Sequence, residues 1–144
     1  MSIATNQEIV TDAFIKIGVI DETAQPSTAQ GQTAMRLLND NLLTLAVDGI
    51  RVGWYYQNPL TSYQLNSPLR DSDVGDVKLL LAKWLIPHYG IKLDTGDGAV
   101  IELFKQFEQA ETRLAKRSLR YVESDLSELS RPQGGSGLGG PGFF

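Results

Sequence analysis

The chain has 144 residues, 42% of them hydrophobic and 21% charged, which fits one modest soluble domain. No apolar run approaches the roughly 20 residues that cross a bilayer and no basic-then-apolar leader opens the chain, so the expectation is a protein made in the cytosol without a membrane anchor; with no cysteine, disulfide and thiolate chemistry are excluded. The net charge of −4 sits in residues 1–50, where Glu8, Asp12, Asp21, Glu22, Asp40 and Asp48 face only Lys16 and Arg36, and such an acidic balance makes a poor generic nucleic-acid binder.

In chain order, Thr5 and Glu8 offer a capping box before an apolar stripe of Ile9, Val10, Ala13, Phe14 and Ile17. The three- and four-residue spacing predicts a helix over about 6–17, stopped by Gly18. Ser27 and Gln30 form a second box, and Ala34, Leu37, Leu38, Leu42, Leu45 and Ala46 predict a longer helix ended by Gly49. Residues 50–68 change character. Trp54-Tyr55-Tyr56 and Tyr63-Gln64-Leu65 flank an Asn58-Pro59 turn signal, which predicts two short extended segments, or a β-hairpin, projecting from the helices.

Asp71 or Ser72 is then expected to cap a third helix with its core from Val77 to Ile86, apolar nearly all round and therefore buried on several sides. Pro87 lacks an amide hydrogen and crowds the carbonyl of Lys83, so this helix should kink or end there, with Gly90 as a further stop. Thr95 to Gly98 opens a last helix that buries Val100, Leu103, Phe104, Phe107 and Leu114 and runs to about Leu119. Its end carries Arg113, Lys116, Arg117 and Arg120, the favourable location for cations on a helix. The fold class is mainly α: a four-helix core over residues 1–118, the excursion at about 50–68, and an extended glycine-rich arm over 119–144.

The arm ends in Arg131-Pro-Gln-Gly-Gly-Ser-Gly-Leu-Gly-Gly-Pro-Gly-Phe143-Phe144, which has neither helical nor strand period. Ordering one residue costs about 1–2 kcal/mol, and burying a Phe returns about 2–3. Two phenylalanines do not offset that cost, so an ordered arm needs backbone hydrogen bonds from a close-fitting partner groove. The arm therefore points to an assembly. Residues 119–144 could reach about 85 Å at about 3.3 Å per residue.

Signs of catalysis are sparse. His88 is the only histidine, with no partner of metal-ligand spacing. Gly134-Gly135-Ser136-Gly137 follows the last helix and is not followed by Lys and Ser or Thr, which speaks against a nucleotide loop. The carboxylate pairs Glu8 with Asp12 and Glu108 with Glu111 are candidates for glycosidic cleavage, or simply solvated helix charges. The basic cluster reads as a solvated helix end, a contact to an acidic protein, or a small phosphate contact. Trp54, Tyr56 and Tyr63 read equally as core aromatics or as an interface patch.

Three blocks, in order, carry a resemblance. Ala13 to Val19 precede a second helix closing on Asp48-Gly49-Ile50, and Pro68-Leu69-Arg70 leads through the apolar helix to Leu85-Ile86-Pro87-His88-Tyr89-Gly90. Arg131-Pro132-Gln133-Gly134-Gly135-Ser136-Gly137 is the third. Together they resemble the head-to-tail adaptors (tail accessory factors) of short-tailed, P22-type bacteriophages, although Ile86 and His88 stand where that pattern expects Ala and an acid. The resemblance implies a non-enzymatic virion protein without cofactor or metal, assembled in the host cytoplasm as a homo-oligomeric ring of about twelve copies. It implies that the ring sits beneath the portal protein, extends the channel for double-stranded DNA without reading sequence, stabilises packaged DNA and offers a platform to the tail nozzle. An acidic surface suits DNA that must slide past. Under this resemblance Arg113, Lys116, Arg117, Arg120, Arg131, Phe143 and Phe144 are expected to contact the portal or a neighbouring subunit, and Trp54, Tyr56 and Tyr63 the tail side or a neighbour. The competing classes are a virion-associated peptidoglycan hydrolase using one of the carboxylate pairs and a helical DNA-binding regulator.

Overall fold

The structure is a computed structural model that describes residues 4–93 and 96–130, of which 121–130 are described by their backbone alone. The protein is mainly helical, with four helices: α1 (Asn6–Lys16), α2 (Thr28–Val47), α3 (Asp71–His88) and α4 (Gly98–Ser130). Local sequence sets most of their boundaries. The Thr5 hydroxyl accepts the Glu8 N–H at 3.1 Å, and the Ser27–Gln30 box closes in both directions at the head of α2. Gly18 and Gly49 follow α1 and α2 with φ of 75° and 96°, a conformation costly for any residue with a Cβ.

Helix α3 is the centre of the bundle. It packs on α1, α2 and α4, whereas α2 and α4 do not pack on each other. That position accounts for its composition, since Val77, Leu80, Leu81, Ala82 and Leu85 are all fully enclosed. Around it lie Ile9, Val10, Phe14, Met35, Leu38, Phe107 and Leu114 as one continuous core. Removing a side chain such as Leu80 to Ala would cost about 2–5 kcal/mol through lost transfer energy and a residual cavity.

Three expectations change. No β-hairpin forms at 50–68: among the described residues there is no strand, only an isolated antiparallel bridge between Thr5 and Asn66. Helix α3 starts at Asp71 with Arg70 at its cap position and no side-chain cap bond, so neither Asp71 nor Ser72 caps it. Pro87 lies inside its last turn, and the helix ends one residue later. Helix α4 passes Leu119 and continues to Ser130, so 119–130 belong to a helix and not to an extended arm. The expected glycine-rich arm at 131–144, with Arg131, Phe143 and Phe144, lies outside the described residues, as does Thr95. No described helix is long and apolar enough to cross a membrane.

Candidate functional site

The basic cluster on α4 divides in two. Phe107, Ala110, Leu114 and Ser118 form the buried stripe of α4, and Arg113 and Arg117 flank it toward α3. There they meet Asp73 and Asp76, two carboxylates buried among the apolar residues of α3. Arg117 donates from Nε to Asp73 Oδ1 at 2.7 Å and from Nη2 to Asp76 Oδ2. Arg113 donates to Asp76 Oδ1 from Nε at 3.0 Å and from Nη2 at 2.7 Å. Arg70 approaches Asp73 Oδ2 at 3.8 Å. Burial opposes the Arg117 charge, but its bonds and attraction to Asp76 and Asp73 outweigh that and hold the guanidinium above its ordinary value.

The seam extends beyond the ions. Ser118 Oγ donates to Gly49 O at 3.0 Å and accepts the Arg51 N–H at 2.7 Å, tying α4 to the loop after α2. Arg70 Nη1 also donates to Arg51 O. Arg113 and Arg117 are therefore engaged within the fold, while Lys116 and Arg120 are exposed and enter no ion pair among the described residues.

The aromatic segment also divides. Trp54 is buried and its Nε1–H donates to Asn39 Oδ1 at 3.0 Å. The same oxygen accepts the Gln57 N–H, and Asn39 Nδ2 donates to Gln57 O at 2.7 Å. Asn6, at the start of α1, donates to Gln57 Oε1 and to Ser62 O. Two buried asparagines thus bond the backbone, at Gln57 and Ser62, of a loop that has no strand ladder to pair with. Tyr63 is half-buried, its ring seated on α2 where Gly31 leaves room; a Cβ at Gly31 would lie 3.0 Å from the ring. Burial pushes its phenol above the ordinary value, with the nearby Thr11 opposing.

Tyr55, Tyr56, Leu60 and Leu65 are instead exposed, each by more than half. Leu60 stands between two shallow hollows of about 380 and 390 Å³, one reaching Pro26 and Tyr63 and the other Arg36 and Tyr56. Tyr55, Tyr56, Leu60 and Leu65 form an exposed aromatic and aliphatic surface on a loop fixed from beneath. Of the residues singled out from sequence, Tyr56 belongs to that surface and Trp54 to the interior.

The remaining candidates lie apart. Asp12 pairs with Lys78 at 2.6 Å, and Glu8, Glu108 and Glu111 are exposed. His88 is exposed and meets Tyr89 edge-on with ring centroids 5.1 Å apart. No group of three or more His, Cys, Asp or Glu residues suited to a metal ion occurs among the described residues. No family model, curated protein or solved structure matches the chain.

Sequence reading missed Asp73, Asp76, Asn39, Gln57 and Ser118. Asp73 and Asp76 did leave a signal: acids inside an otherwise apolar helix require cations on whatever packs against it.

Proposed function

We propose that the chain is a structural head-to-tail adaptor of a short-tailed bacteriophage virion. Copies form a ring beneath the portal, extend the DNA channel and present a platform for the tail nozzle. The ordered sequence resemblance suggests this class, and one structural observation supports it above others. Helix α4 runs from its packing against α3, where Leu114 and Ser118 are buried, on to Ser130, and in the sequence the glycine-rich residues 131–144 follow directly. A compact core that carries a helix onward into a segment with almost no side chains is organised for gripping partners. Repetition of such grips around a ring makes individually weak contacts durable.

In this reading Lys116 and Arg120 supply accessible charge, Arg131, Phe143 and Phe144 grip the portal or a neighbour, and Tyr56 belongs to a tail-side or neighbour contact. Arg113 and Arg117 serve by fixing the course of α4. The test is association with purified portal rings, read by the mass of the complex. The full chain should add a ring of subunits, and a chain lacking 131–144 should not. Absence of binding by the full chain overturns the adaptor reading; unchanged binding by the truncated chain overturns the role given to that segment.

A further inference from the structure

Helix α2 carries an outward face at helical spacing: Asp40, Leu43, Thr44, Val47 and the capping Asp48, all exposed. Val47 is 87% exposed, an unusual placement for a β-branched side chain on an otherwise well-packed helix. Helix α4 carries a second outward face, where Lys116, Leu119 and Arg120 fall at the same spacing and Leu119 is 60% exposed. Asp40, Asp48, Lys116 and Arg120 enter no ion pair among the described residues. The two faces are thus opposite in charge, and each has an apolar centre. The two helices each pack on α3 and not on each other, and they are joined where Ser118 of α4 bonds Gly49 just after α2.

We infer that the α2 face of one copy docks against the α4 face of a second copy. Asp40 and Asp48 meet Lys116 and Arg120, while Leu43 and Val47 cover Leu119. A contact between two different patches is heterologous, and its repetition closes into a ring when the rotation allows. The internal engagement of Arg113 and Arg117 sharpens the match, since it leaves Lys116 and Arg120 as the cations of this cluster without an ion pair among the described residues. Like charges across this contact would oppose association, so the pairing also sets which way round subunits join. The inference rests on the ring-forming reading and names the surface that forms the ring.

The absence of cysteine from the chain makes the test direct. Val47→Cys and Leu119→Cys chains are prepared separately, mixed, and oxidised both free at high concentration and on portal rings. Disulfide-linked dimers are expected from the mixture and not from either variant alone, because a bridge requires Cα atoms within about 7 Å. Asp40→Lys with Asp48→Lys should lower the yield about tenfold or more, and combination with Lys116→Asp, Arg120→Asp chains should restore it. Equal dimer yield from Val47→Cys alone shows a symmetric α2 contact and overturns the proposal. Rings that assemble on the portal without the mixed dimer overturn the proposal and leave the adaptor reading standing. Mixed dimers in free protein that binds no portal support the contact and count against the adaptor.

Discussion

Two clusters of buried polar groups among the described residues differ in their chemistry. Between α3 and α4 the buried groups are ions: Asp73 and Asp76 against Arg113 and Arg117. Beneath the 54–65 loop they are neutral amides: Asn6, Asn39 and Gln57. The ionic seam joins two helices that already possess their own backbone hydrogen bonds. Its role is to fix which way α4 runs against α3, because the bidentate arginines tolerate little rotation or sliding. The amide hub performs a task that helices do not need, since it satisfies the backbone of a segment without secondary structure. One device orients an element, and the other replaces one.

The largest expected effect breaks the ionic side of this comparison. Arg117→Ala removes the partner that spans both acids and leaves Asp73, almost wholly enclosed, with only the distant Arg70. The loss should be about 3–5 kcal/mol, because a buried charge is stranded and not merely a contact deleted. Urea unfolding with the denaturant midpoint as readout checks it; a loss below about 1 kcal/mol would show the seam to be as dispensable as a surface ion pair.

Asn39→Ala tests the amide side. It strips partners from the Trp54 Nε1–H, the Gln57 N–H and the Gln57 carbonyl together. A stability loss of about 2–3 kcal/mol is expected, smaller than for the seam because water can enter and satisfy neutral groups at lower cost than a carboxylate. The same variant should change Trp54 fluorescence as the indole loses its bond. No spectral change would mean that the loop holds its shape by other contacts.

The extent to which the sequence revealed this organisation follows from the range of the interactions. Helices α1 and α2 were legible because capping residues, apolar spacing and the terminal glycines act within a few positions of one another, as at Ser27, Gln30 and Gly49. The seam was not, because Asp76 and Arg113 lie 37 residues apart and their cations also read well as a solvated helix end. The loop was misleading for a different reason. Trp54, Tyr55 and Tyr56 have strand-forming side chains, but β preference expresses itself only where a partner strand exists, and here Asn39 and Asn6 supply the hydrogen bonds instead. Helix α4 outran its predicted end because no glycine or proline interrupts residues 119–130, which retain good helix propensity. Aromaticity alone also did not separate Trp54 from Tyr56; the acceptor on Asn39 did.

Gly49 joins the two devices, since it turns the chain out of α2 at φ 96° and gives its carbonyl to Ser118 on α4. Gly49→Ala should cost about 1–2 kcal/mol from backbone strain alone, because no atom lies within 4 Å of the added methyl. If the strain is relieved by shifting the turn, the Ser118 bond is lost too, and Ser118→Ala in the same background should then add little. Full additivity of the two substitutions would show that the turn holds its position under strain.

The smallest effect concerns Tyr63, where loop and helix meet. Its folded value is raised by burial, so the native state keeps the phenol neutral at a pH where the unfolded chain has begun to ionise. The unfolded state then binds fewer protons than the native one, and stability falls as pH rises. The contribution is fully present below about pH 10, the ordinary tyrosine value, and is lost as pH climbs from there through the raised folded value. Tyr63→Phe keeps the ring against Gly31 and removes the titrating group, so it should lessen the alkaline decline while changing neutral-pH stability by less than about 1 kcal/mol. Denaturant midpoints between pH 8 and 11 decide the matter. A parallel decline in wild type and variant would show that the loop opens before the phenol ionises, and would place the amide hub, not the aromatic ring, as what keeps that surface in place.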